Sequence, residues 1–572
     1  MNRRTHLKSV AAVCLIALAA SQPVVAESPM PSLDAEAQAL RDLIIARVGG
    51  LDALKVPATD AEMPQPDDAQ FAITDAKKRL GKFLYFDPIR SNNVRPEFGG
   101  NRAFAQTISC GSCHLGELAS KAGAVSAFGM GGEGRGFVDP DSGRFVARRA
   151  AVDGLTDTMP TQVDTFDALG ALTMSGRFDE VDSPFRVAPS MIGFAMNNRL
   201  FWSGPAGETY DETNPAKMNI NPNDLPPQEN TVEFTFKAHR MFEMQRFALQ
   251  AIPAYRELFA RAFPDEAAIT ELSGNWDDLI NDDTIGRAIA AFLRSVITRN
   301  TPFDKFLDGD NSALTANQLR GATLFYQSAE DGGASCVSCH SGPAMNKTLG
   351  DEAGALIDEN FHNIGLHDHP LVELAQTALN NPNFHDPGRA EATGDDADRF
   401  KFKAPTLRQL RDGAPFMHSG EFETLTDVVQ YFNAGVPAAD FSGNHGNLSE
   451  TFSNPRGNSE TGLGLSDDDV NALVDFLENG LYDPAFVTLD PTSTTETFNL
   501  NARDLTYDLQ LLLLGAENGS IPSGLQHPQT DALTGQDLAA SDLNATCGSI
   551  GLFGLMATLL PMLATRRRLR RR

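Results

Sequence analysis

The chain contains Cys110-Gly-Ser-Cys113-His114 and Cys336-Val-Ser-Cys339-His340, two copies of the pattern Cys-x-x-Cys-His. Two thiols about one helical turn apart can add across the two vinyl groups of one porphyrin, and the histidine that follows can bind the iron. Each copy therefore predicts one covalently attached c-type haem. The residues expected to hold the two haems are Cys110, Cys113, His114, Cys336, Cys339 and His340, with His114 and His340 as the iron ligands.

Other uses of the four cysteines explain less of this pattern. A thioredoxin-like dithiol needs no adjacent histidine, and a zinc site built from all four cysteines would leave both histidines unexplained. A disulfide framework does not suit a chain of 572 residues with six cysteines. Among weaker motifs, His362, His367 and His369 could form a metal cluster, although histidines in such a segment are more often polar loop residues.

Both ends of the chain resemble targeting segments. Residues 1–26 have a basic start, an apolar stretch from Val10 to Ala20 and a small-residue cleavage site, which together predict a secretory signal peptide. Residues 547–572 combine an apolar run with six arginines, which predicts a membrane anchor or a sorting tail; a buried terminal helix is the alternative. The expected location is the periplasm or the cell surface, with a tether at the C-terminus left open.

The charge of the chain argues against nucleic acid as a partner. The 47 basic and 75 acidic residues give a net charge of −28, and removal of the nine cations in the two terminal segments leaves −37 for the body. Phosphate binding requires a basic face, which such a body does not provide. A strongly acidic surface instead favours small basic protein partners.

Sparse strand patterns predict a mainly α fold with two haem domains. We expect an N-terminal helix and linker in residues 27–70, with the helix at Asp34 to Val48. The first haem domain should cover residues 71–300, with a helix from Asp283 to Thr298 near its end and a Gly-rich loop from Gly129 to Gly143. The second should cover residues 301–488, with Ser466 as the N-cap of its last helix, before a low-complexity spacer in residues 489–546.

Several strings in a fixed order resemble the superfamily of di-haem cytochrome c peroxidases and MauG. They run from about Thr74 to Asp483 and include Leu80 to Pro88, Arg186 to Ser190, Phe201-Trp202-Ser203-Gly204, Glu243-Met244, Phe402 to Arg408 and Phe416 to Gly420. The resemblance implies two cytochrome c-like α domains with one haem each. It also implies hydrogen peroxide as substrate and a small cytochrome c or cupredoxin as electron donor.

The resemblance assigns roles to particular residues. The first-domain haem, with His114, would be the peroxide site, and the second, with His340, would pass electrons or store oxidising equivalents. Trp202 would be an electron bridge between the haems. Glu243 would move a proton between the two peroxide oxygens, first as general base and then as general acid.

The sequence also departs from the family pattern. Val187 stands where the family has an asparagine that helps to bind calcium, which makes calcium doubtful. The distal ligand of the second haem is expected at position 432, where this chain has Phe432, so the neighbouring Tyr431 is the candidate ligand. A MauG-like enzyme that oxidises a partner protein and a di-haem electron carrier without catalysis remain alternatives to the peroxidase.

Overall fold

The computed structural model describes somewhat more than half of the chain. The described residues are 32–86, 110, 114, 136–139, 144–147, 165–166, 171–173, 183–184, 186–214, 216–217, 221–238, 246, 249–250, 253–352, 354–366, 385–435, 447–458 and 462–487. The expected signal peptide, the spacer and the C-terminal tail lie outside this part. Within it, no helix is both long enough and apolar enough to cross a membrane.

Helices dominate the described residues, as the sparse strand patterns predicted. They are α1 Leu33–Val48, α2 Asp75–Phe86, α3 Pro227–Ala238, α4 Pro253–Ala262, α5 Pro264–Ser273, α6 Asp282–Arg294, α7 Pro302–Leu307, α8 Ala316–Tyr326, α9 Ala390–Thr393, α10 Leu425–Ala434, α11 Glu450–Ser453, α12 Asp467–Asp475 and α13 Pro484–Val487. A five-residue π-helical turn, Phe476–Gly480, continues α12.

The strands are short and antiparallel. They are β1 Gly136–Asp139, β2 Arg144–Ala147, β3 Thr165–Phe166, β4 Ala171–Thr173, β5 Ser183–Pro184, β6 Phe361–His362 and β7 Phe402–Lys403. Strands β1 and β2 pair as a hairpin, β3 to β5 form a three-stranded sheet, and β6 pairs with β7. The expectation of a loop from Gly129 to Gly143 was therefore incomplete, because β1 lies within that stretch.

The first hydrophobic core forms around the contact between α2 and α6. Gly81 of α2 lies so close to α6 that a Cβ atom built there would stand 1.8 Å from the Ala288 carbonyl oxygen. Asn281 caps the start of α6 through the Thr284 N–H. The helix ends at Arg294, four residues before the predicted end, and the Val296 carbonyl accepts a hydrogen bond from the Gly193 N–H instead.

A separate second core forms where α8 crosses α12. Gly321 of α8 repeats the close approach, since its Cβ atom would lie 2.0 Å from the Ala472 carbonyl oxygen. Helix α12 begins after Ser466, whose hydroxyl accepts from the Asp469 N–H, as predicted for its N-cap. Two cores, each organised by a glycine-mediated helix crossing, are consistent with two domains.

Each end of the described chain contacts a core that is distant from it in sequence. In α1, Leu40 and Ile44 are completely buried and belong to the second core. The segment that follows α1 returns to the first domain, where Asp60 pairs with Lys78 at 2.9 Å. At the other end, Phe486 of α13 packs into the first core. The first and last described helices therefore link the two hydrophobic cores.

Candidate haem sites and the junction between the domains

The second Cys-x-x-Cys-His sequence forms a single tight turn. Cys336–Ser338 is one turn of 3-10 helix, and the His340 N–H donates to the Cys336 carbonyl at 3.0 Å. Burial raises the pKa of the Cys336 thiol to about 12 and that of the Cys339 thiol to about 11. These neutral thiols do not suit a reactive dithiol, which requires a lowered pKa. They remain suited to thioether attachment.

The His340 ring contacts the backbone through one of its two nitrogens, which leaves the other for iron. Its Nδ1 lies 3.1 Å from the Met345 carbonyl oxygen. Burial lowers the pKa of His340 to about 4, although the Met345 and Pro405 carbonyls act to raise it, so the ring is neutral at physiological pH. Because the Met345 carbonyl engages Nδ1, Nε2 is the nitrogen that can bind iron, as is usual for histidine ligands.

The first haem site shows the same turn in the residues that are described. The His114 N–H donates to the Cys110 carbonyl at 3.0 Å, matching the distance between His340 and Cys336. Cys110 packs against the first core, whereas Cys336 packs against the second. Cys113 lies outside the described residues, as does Glu243 on the expected distal side.

Trp202 lies where segments that are distant in sequence meet. Its side chain is only 7% exposed, and its indole N–H donates to the Val187 carbonyl at 2.6 Å. The edge of the ring faces the His418 ring, with 6.3 Å between centroids. The Trp202 carbonyl accepts from the Lys403 N–H at 2.9 Å. Trp202 is therefore held both by Val187, which is near it in sequence, and by His418 and Lys403, which are about two hundred positions away.

A buried ion cluster that was not predicted from the sequence lies beside Trp202. Arg186 pairs with the Asp386 carboxylate and with the Glu391 carboxylate, and the Ser203 hydroxyl donates to Glu391 at 2.9 Å. Burial raises the pKa of Glu391 to about 7, and the charge of Asp386 adds to this effect while Arg186 opposes it. Although burial acts against it, Arg186 lowers the pKa of Asp386. Arg186 comes directly before Val187, which accepts the hydrogen bond from the Trp202 indole, and Ser203 comes directly after Trp202.

Tyr431 lies near the second haem attachment but is engaged elsewhere. Its hydroxyl donates to the Ile364 carbonyl at 2.6 Å, and its ring stacks on Phe452. Thr451, the neighbour of Phe452, has its hydroxyl 4.0 Å from the Cys339 sulfur. Burial raises the pKa of Tyr431, which opposes formation of a phenolate. Binding of Tyr431 to iron would require loss of the bond to Ile364.

Two histidine-bearing turns, each beside its own core, define a protein that attaches two c-type haems. A family model described as di-haem cytochrome c peroxidase matches residues 75–312. The cytochrome c551 peroxidase of Nitrosomonas europaea is 26% identical over 382 residues, which cover 67% of this chain and 78% of that protein.

Two further relatives agree with this match. Cytochrome-c peroxidase IdrP2 of Denitromonas iodatirespirans is 28% identical over 51% of this chain and 68% of its own length. Methylamine utilization protein MauG of Methylorubrum extorquens is 25% identical over 64% of this chain and 70% of its own length. The chain is therefore similar to di-haem cytochrome c peroxidases and to MauG. It is an oxidoreductase with two covalently bound c-type haems.

Proposed function

We propose that this protein reduces hydrogen peroxide to water with electrons from a small cytochrome c or cupredoxin in the periplasm. The O–O bond breaks as two electrons and two protons are consumed, and two water molecules form. The bound haems supply the redox chemistry. The observation that carries the proposal is the position of Trp202, which is buried at the junction and bonded to residues of both domains.

The proposal divides the work between the domains. Residues 71–300 would hold the peroxide-binding haem on His114, and residues 301–488 would hold the electron-accepting haem on His340. Trp202 would conduct electrons between them, supported by its fixed indole N–H and its contact with His418. The acidic body would favour a basic donor protein.

Glu243 is the proposed acid–base residue of peroxide cleavage. Loss of one general acid–base group typically lowers a rate on the order of a hundred- to ten-thousand-fold. We expect Glu243→Gln to keep two haems per chain, measured as pyridine haemochrome, while peroxide turnover collapses. Glu257→Gln is the matched control, because Glu257 is exposed and pairs with Arg261 in the same helix. Turnover of Glu243→Gln within a few-fold of this control would remove Glu243 from the mechanism.

A different result would contradict the proposal of peroxide reduction as a whole. If the unaltered protein consumes no peroxide with any reduced donor, while both haems cycle between redox states, the electron-carrier alternative takes over. A MauG-like oxidase is favoured by one observation, the phenylalanine at position 432 and the tyrosine beside it in place of methionine. Oxidation of a partner protein by peroxide, without use of the small donor, would support that alternative.

Tyr431 is proposed as the residue nearest to the distal side of the second haem. If it binds the iron, Tyr431→Phe should change the optical spectrum of that haem and raise its potential, since a phenolate stabilises ferric iron. Tyr482→Phe, on the half-buried ring that lies under Arg411, is the control. An unchanged spectrum would mean that Tyr431 serves packing and its bond to Ile364.

The terminal segments complete the proposal for location. Residues 1–26 would direct export, and residues 547–572 would anchor the chain or be processed. Cell fractionation of the full chain and of a chain that ends before Cys547 tests the anchor. Identical soluble fractionation of both would contradict it.

A further inference from the structure

Two lysine side chains are enclosed at the junction between the domains. Lys347 is only 4% exposed, and Lys403 is half-buried with its Nζ donating to the Asn197 Oδ1 at 2.9 Å. Burial lowers the pKa of Lys347 to about 8 and that of Lys403 to about 7, and the charge of Lys347 further lowers the latter. The two ammonium groups are therefore close enough to repel each other.

The polar groups around this pair do not balance its charge. Asp351 is the carboxylate that acts on Lys347, and its oxygens already accept from the Ala355 and Leu356 N–H groups at 2.8 and 2.7 Å. Asn346 donates to the same Asn197 oxygen as Lys403, while its own Oδ1 is buried with no hydrogen-bond partner among the described residues. Buried ammonium groups are costly unless paired, so this cluster suits an anion.

The lysines flank two residues whose carbonyl groups act on the His340 ring. Met345 lies two residues before Lys347, and Pro405 lies two residues after Lys403. The Met345 carbonyl lies 3.1 Å from the His340 Nδ1, and the Pro405 carbonyl acts to raise the pKa of the ring. The cationic pair is thus tied through short stretches of backbone to the proximal side of the second haem site. A haem carries two propionate carboxylates on one edge, which match two ammonium groups in number and charge.

We propose that Lys347 and Lys403 form the anion site for the propionate groups of the second haem and raise its reduction potential. Positive charge next to the propionates cancels part of the negative charge that would otherwise stabilise ferric iron. The Lys403 N–H also bonds to the Trp202 carbonyl, so the site joins the haem edge to the junction residue. The inference requires haem on His340, and it does not require peroxide reduction.

Redox titration of the haem-loaded protein, followed optically, tests this inference without use of peroxide. We expect Lys403→Met to lower the midpoint potential of the second haem, with a change on the order of tenfold in its reduction equilibrium. The first haem should not change, and Lys403→Arg should preserve the parent value. Lys401→Met is the matched control, because Lys401 stands two residues earlier and pairs with Asp398 at 3.0 Å.

Further measurements separate the outcomes. Lys347→Gln should lower the same potential, which provides a second test if Lys403→Met does not fold with two haems. A potential that matches the Lys401→Met control in both variants would overturn the inference. Titrations with and without inorganic phosphate distinguish the source of the anion. Dependence on phosphate that disappears in Lys403→Met would assign the site to a free anion and refute the propionate contact.

Discussion

Replacement of Gly81 by alanine should destabilise the first domain by about 2 kcal/mol. The new Cβ atom would stand 1.8 Å from the Ala288 carbonyl oxygen and 2.5 Å from its carbon, so α2 and α6 would have to separate by more than 1 Å. Overpacking of this kind costs about 1–3 kcal/mol, and a backbone clash belongs at the upper end. Alanine regains about 1 kcal/mol from its higher helix propensity, which leaves a net loss.

Gly286→Ala provides the control within the same pair of helices. Gly286 lies in α6, and a Cβ atom there would meet no atom of the described residues within 4 Å. Only the propensity gain of about 0.5–1 kcal/mol remains, so this variant should be more stable than the parent. Urea unfolding of the haem-loaded protein, followed by circular dichroism and by the haem absorption, measures both. A midpoint for Gly81→Ala equal to or above that of Gly286→Ala would refute the close-contact argument.

Two further predictions concern buried charges. Because the pKa of Glu391 is raised from 4.5 to about 7, its contribution to stability should be present at pH 4.5 and be lost as the pH rises through 7. Glu391→Gln should therefore flatten the urea-derived stability between pH 5 and 7.5, by on the order of 2–3 kcal/mol relative to the parent; parallel curves would contradict this. Arg408 binds Asp304 through its two terminal guanidinium nitrogens, at 3.0 and 2.8 Å. The substitution Arg408→Met would therefore leave the Asp304 carboxylate buried without its cation. We expect a loss of about 3–5 kcal/mol in the same assay, whereas a loss below 1 kcal/mol would show that solvent reaches Asp304.

Local sequence signals predicted the elements that depend on local contacts. The haem-binding turns follow from five adjacent residues, and the start of α12 follows from Ser466 and Asp469, three positions apart. The end of α6 could not be found in this way. Apolar residues continue past Arg294, but the carbonyl of Val296 bonds to Gly193, which is about a hundred residues away.

The junction residues were harder to predict for the same reason. Arg186 and Asp386 are 200 positions apart, and an acidic chain offers many carboxylates as equivalent candidates. Lys403 was noted only as part of the segment Phe402 to Arg408 that resembles the family. Nothing nearby in sequence shows that its ammonium group is enclosed with that of Lys347. Glu243 and Cys113 keep their predicted roles on sequence grounds alone.

The contacts made by α1 and α13 limit how this molecule can be divided. A cut near residue 300 would give two polypeptides, each carrying a segment that fills the core of the other. The N-terminal piece would carry α1 with Leu40 and Ile44 uncovered, and the C-terminal piece would carry Phe486 without its cavity. Arg41 of α1 also donates a hydrogen bond to Asn311, which is synthesised 270 residues later. We therefore expect the two fragments to bury these apolar side chains only by binding each other.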